Sequence, residues 1–319
     1  MGRAASCDRI CGTLVRTTWS AVLVVGLAGP LAAEEVLQPT APIKASLQET
    51  PAPGAGQIVV GLPAPLGRRI LPVADEASRD KLAEARKGDI VRVRLDSAAL
   101  PKAVAMIESV SRPIGGLPRL FTLALAFAML AGIAAAVTGG RPQRFMIGID
   151  GRYSNSQSQL VLWSATVAIV YLATLLLRVY YLGTDFIGGV GLTGNLIALS
   201  GLSAFSFGGA RVITQTKMNG ATEAQRRVKL DDAHPPQPRL LTDLVQNDEG
   251  KADLGDFQMI LVTLAAVLIF VASAFHFLGA LLLEPTVTLP DVDTALLSAF
   301  GLGQGAYLLK KGASDLGTG

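Results

Sequence analysis

The residues best placed to do chemistry are few and far apart. Asp150-Gly151-Arg152 and Glu249-Gly250-Lys251 each set an acid, a glycine and a base in a row. Each is followed by a polar residue, Ser154 or Asp253, and then by Gln159 or Gln258 at the head of an apolar run. Carboxylates at Asp150, Glu249 and Asp253 suggest a small ligand or a cation. A calcium loop aligned on Gly250, however, needs a carboxylate where Val245 stands, which excludes that chemistry. A helix start accounts for the spacing more simply. Ser154 would cap with Gln157 at the third helical position, Asp253 with Asp256 there, and Gly151 and Gly250 would turn the chain beforehand.

A second constellation is polar but uncharged. Ser200, Ser203 and Ser206 recur at helical spacing beside Gly201, Ala204 and Gly208, Asn195 precedes them, and Gly301-x-x-x-Gly305 encloses Gln304. Small residues let helices approach and hydroxyls bond across the contact, so a packing seam is expected, with a polar path as the alternative. Arg178 and His276 lie near corresponding ends of two apolar runs. Arg178 is expected to snorkel to the interface, and His276 is a candidate for a pH-responsive contact. Asp231-Asp232-Ala233-His234 is followed by two prolines and reads as an exposed linker rather than a metal site. Both cysteines, Cys7 and Cys11, stand at the N-terminus, so no zinc spacing or disulfide framework can be built downstream. Phosphate loops, nucleophile elbows and zinc-protease motifs do not occur in the sequence. No catalytic residue, cofactor, metal or nucleic-acid partner is expected.

The elements that must position these residues are membrane helices. Of 319 residues 50% are hydrophobic and only 17% charged, against about 25% charged in soluble domains. The apolar residues gather at Leu120–Val137, Gln159–Leu182, Phe186–Phe207, Phe257–Leu283 and Val292–Leu309, long enough for five spans. Twelve lysines and arginines lie in the segments 139–158, 208–256 and 310–319, and none in the short loops 183–185 and 284–291. Such asymmetry puts the basic segments and the C-terminus in the cytoplasm of a bacterial inner-membrane protein. Residues 1–33 read as a signal peptide: Arg3, Arg9 and Arg16, an apolar stretch, then small residues. Residues 34–56, rich in Pro, Ala, Thr and Gln, read as a tether. Residues 57–118 read as a small extracytoplasmic β-rich module, in which Ile90–Leu95 alternates apolar and charged side chains. Arg68, Arg69, Arg92 and Arg94 make its basic side, read first as a solvated face and otherwise as a docking surface for a protein or polyanion.

The sequence also repeats itself. Asp150–Leu162 matches Glu249–Leu261 at a constant offset of 99, and Gly201-Leu202-Ser203 matches Gly301-Leu302-Gly303 after a slip of one. The expectation is a duplicated transmembrane hairpin, 139–207 and 249–309, joined by a cytoplasmic linker at 208–248 and preceded by one helix at 119–138. The segments Asp150–Trp163 and Ser200–Ala210 resemble bacterial multi-pass membrane proteins of uncharacterised function, over residues 145–310. That resemblance implies the topology and no activity. The functional expectation is a non-enzymatic oligomeric scaffold or signal-relay component contacting membrane lipids, with a channel or transporter as the alternative.

Overall fold

The computed structural model describes residues 41–97, 100–148, 151–220, 238–245 and 252–313. Cys7, Cys11, Asp150, Asp231, Asp232, His234, Glu249, Gly250, Lys251 and the expected signal peptide lie outside the described residues.

Period-two alternation builds the first layer. Strands β1 (Ile43–Leu47), β2 (Gln57–Gly61), β3 (Arg68–Pro72), β4 (Ile90–Leu95) and β5 (Val104–Pro113) pair antiparallel in the order β3-β2-β1-β4-β5. A parallel bridge between Val73 and Val104 closes the outer two. Helix α1 (Glu76–Lys81) lies between β3 and β4, which completes the connectivity of an OB-type barrel. In β4, Val91, Val93 and Leu95 are fully buried while Arg92 and Arg94 point outward. Asp75 caps α1, and Ser78 Oγ accepts from Ile107 N at 2.8 Å, fastening the helix to β5. The expected tether is corrected here: β1 falls inside residues 34–56 and pairs with both β2 and β4. Its Ile-x-Ala-x-Leu alternation needs only Ala45 and Leu47 to face inward, and the surrounding prolines and threonines conceal so short a period.

The rest is mostly helical: α2 (Gly116–Val137), α3 (Asn155–Leu182), α4 (Gly194–Gly220), α5 (Leu240–Val245), α6 (Leu254–Phe277) and α7 (Thr294–Ala313). Among the described residues α2, α3, α4 and α6 are long and apolar enough to cross a membrane. α7 has 20 residues but carries four glycines, Gln304, Lys310 and Lys311, and is not among them. α3 packs on α4 and α6, and α7 packs on the same two, so the four close a ring with α2 against α3.

Two expected spans have other limits. Phe186 ends a single 3-10 turn (Thr184–Phe186) rather than starting a membrane helix; Gly183, Gly188 and Gly189 around it take positive φ and lead into a two-residue strand, β6 (Val190–Gly191). α6 stops at Phe277, and the apolar residues beyond it form strand β7 (Ala280–Leu282). β7 pairs antiparallel with Ser111–Pro113 of β5 and so becomes the sixth strand of the sheet. Strand β8 (Val287–Thr288) then pairs parallel with β6, Val190 opposite Val287.

Candidate functional site

Two buried polar regions lie along the helix ring. The first is the joint between barrel and helices. The guanidinium of Arg112 grips Asp89 through Nε and Nη2 at 3.1 and 3.0 Å, and its Nη1 donates to Tyr181 O, at the end of α3, at 2.6 Å. Asp89 is 2% exposed; its charge is balanced by Arg112 and by the backbone N–H of Arg86. Nearby, Ile114 N donates to Gly279 O and Leu283 N to Val110 O. Arg119 of α2 donates to Phe275 O of α6 and lies over the Phe275 ring.

Arg178 completes this region and does not snorkel. It is 1% exposed and donates to Phe186 O, Leu282 O, Glu284 O and Pro285 O at 2.7–3.4 Å. Loop carbonyls have no ladder partners of their own, so one planar five-donor fork satisfies two loops at once. His276 lies exposed in the last turn of α6. Asn195 donates to Asp291 Oδ2 and Val292 O, and Thr193 to Asp291 Oδ1, tying the start of α4 to the loop before α7.

The second region lies farther along the ring. Trp163 of α3, fully buried, donates from Nε1 to Ser200 Oγ of α4 at 3.0 Å. A Cβ placed on Gly301 would lie 3.6 Å from Leu202, and one on Gly209 3.2 Å from Leu308. These contacts fix α4 and α7 side by side and parallel, in a register that sets Gln304 level with the interval between Ser203 and Ser206. α3 runs the other way, so one turn before Trp163 brings Gln159 to the same level. Gln159, Ser203, Ser206 and Gln304 are all at most 3% exposed. Gln159 Oε1, both Gln304 amide atoms and both serine hydroxyls have no hydrogen-bond partner among the described residues. The layer is roofed by Trp163, Leu199, Phe270 and Phe300, and Met259, Ala210 and Tyr307 pack below. Gly305, unlike Gly301, faces open space.

The helix starts show why the capping residues stand where they do. Asp253 occupies the N-cap of α6, and its Oδ1 accepts from Gly255 N at 2.8 Å and Asp256 N at 3.2 Å. Lys310 of α7 pairs with its other oxygen. That bond, helped by the two backbone N–H groups, holds the Asp253 carboxyl below the usual carboxylate range. Ser154 occupies the N-cap of α3 without a capping bond from its side chain; its hydroxyl lies 3.4 Å from Ser156 Oγ. Gly151 has φ +74° in the preceding turn, while Arg152 pairs with Asp243 of α5. Gln258 is exposed and lines a groove between α6 and α7 with Gly255, Gly303 and Lys310.

Sequence reasoning grouped Ser203, Ser206 and Gln304 as one seam or polar path but assigned Gln159 to the helix-start motif; the register of the ring sets Gln159 at their level. Asp89 and Arg112 were missed, since 23 residues separate them and neither breaks a local pattern. Among the described residues no cluster of three or more His, Cys, Asp or Glu could hold a metal ion. Comparison with protein-family models, with curated proteins and with solved structures finds no match to the chain.

Proposed function

We propose that the protein is a non-enzymatic inner-membrane scaffold that relays partner binding at its barrel to its helices. The observation that carries this reading is β7. A strand lying between two ring helices is hydrogen-bonded into the sheet, so displacing the barrel displaces the ends of α6 and, through Arg112, α3. A protein partner fits better than a polyanion. Arg68 is paired with Glu49, Arg94 with Glu108 and Arg112 with Asp89, which breaks up the basic face.

In this reading the ring is a duplicated hairpin. α3 and α6 begin at residues 155 and 254, α4 and α7 at 194 and 294. Leu202 touches Gly301 and Leu308 touches Gly209, so corresponding helices of the two halves lie side by side and parallel, within one residue of the repeat register. α7 is then a fifth crossing, which puts the barrel outside and the C-terminus in the cytoplasm. Parity tests this: cytoplasmic activity of a reporter fused after Gly319, with protease attack on the barrel from outside, is expected. Both ends on one side of the membrane contradict it.

The relay is tested with an antibody fragment against the barrel as a surrogate partner. Binding to the full chain in nanodiscs should change hydrogen exchange at β6, β8 and the ends of α3 and α6, and Arg112→Ala should abolish the effect. Exchange that changes only within the barrel would overturn the relay. The buried polar layer favours a second reading, a conduit. Ion flux through reconstituted protein, lost in Ser203→Leu, would establish that reading instead.

A further inference from the structure

We infer that the layer formed by Gln159, Ser203, Ser206 and Gln304 is a binding site for a water-sized guest held by neutral oxygens, either water or a bare monovalent cation. The inference depends on neither reading above. It rests on the saturation of the surroundings. Four other hydroxyls of the ring turn back on their own helix: Thr166 on Leu162 O, Thr174 on Val170 O, Thr263 on Met259 O and Ser200 on Leu196 O. Ser203 and Ser206 do not, although the carbonyls one turn back are available to any helical serine. Gln304, 3% exposed, presents both amide atoms to the same layer, and Gln159, 2% exposed, adds an oxygen. A buried polar atom without a partner costs about 1–3 kcal/mol. Five such atoms from three helices at one level therefore call for a shared guest rather than for five separate penalties.

The donor set defines the guest. Two amides and two hydroxyls contain no fixed charge, which excludes an anion held by a cationic side chain. The absence of a carboxylate from these four residues argues against a divalent ion, which takes charged oxygens. Neutral oxygens at close quarters suit water or a dehydrated monovalent cation. The roof of Trp163, Leu199, Phe270 and Phe300 is apolar. Below, Asn155 Oδ1 and Ser158 Oγ are buried and also lack partners, so polar atoms continue toward the helix end opposite the barrel.

Trp163 reports on the layer, because its partner Ser200 lies one turn from Ser203. The chain has two tryptophans, and Trp19→Phe isolates this one. The full-length protein in nanodiscs is titrated with sodium, then potassium, against choline at constant ionic strength. A saturable change in Trp163 emission, weakened roughly tenfold in Ser206→Ala and abolished in Gln304→Leu, assigns a cation; loss of one ligand's contribution sets that factor. No cation response, with an NMR cross-relaxation peak between water and the Gln304 side-chain amide, assigns water. Neither response, with Ser203→Ala/Ser206→Ala at least as stable as the parent, overturns the inference and leaves a dry seam. The double serine variant keeps the test open should Gln304→Leu fail to fold.

Discussion

Arg178 and Gln304 are both buried polar side chains of ring helices, yet their surroundings differ completely. Arg178 donates to four backbone carbonyls; Gln304 has no partner for either amide atom among the described residues. A side chain whose bonds all go to backbone is a structural clamp, since its partners have no alternative and cannot leave. A side chain left unbonded is structurally expensive, and a fold keeps it without penalty only if something outside the chain's own atoms meets it. The end of the ring nearest the barrel is thus built to hold, and the interior layer is built to receive.

The sharpest way to break that contrast is at the joint. Arg112→Ala leaves Asp89 charged, buried and without its cation, and is expected to destabilise the folded state by about 3–5 kcal/mol in denaturant titrations. Arg178→Met orphans four carbonyls without stranding a charge. An expected loss of about 2–4 kcal/mol should come with proteolysis in the loops around Phe186 and Glu284. Asp253→Ala removes a cap and costs about 1 kcal/mol. Its pH dependence has a defined sign. The carboxyl is lowered in the folded state, so its contribution is complete above the ordinary carboxylate range and fades as the pH falls through the lowered value. Asp253→Asn should remove that acid limb from the stability profile. The smallest effect belongs to the layer: Trp163→Phe gives up one hydrogen bond to Ser200, about 1 kcal/mol, while Ser200 keeps its bond to Leu196 O.

Much of this was readable before the structure, and the failures share a cause. The alternation Ile90–Leu95, the polar helix starts and the Ser200-Ser203-Ser206 stripe are local patterns, and the elements appear where such patterns put them. β7 was hidden because a three-residue apolar strand and the end of a membrane helix read alike in sequence; Gly279 and Pro285 were the only punctuation. Arg178 was legible as a buried-or-snorkelling ambiguity, resolved only by the loops that fold back over it. The Arg112–Asp89 pair depends on sheet register between β4 and β5, which no local spacing contains. The polar layer was visible residue by residue, but its level in the ring follows from interhelical contacts at Gly209 and Gly301.

The central claim is that the barrel is fastened to the helix ring rather than tethered to it. Spin labels at Arg92, on the outer face of β4, and at Tyr180, 80% exposed on α3, test it by electron double resonance on the full chain in nanodiscs with Cys7 and Cys11 replaced by serine. A single narrow distance distribution that broadens in Arg112→Ala is the result the account requires. A broad distribution already in the parent protein would mean a swinging barrel, and would contradict it.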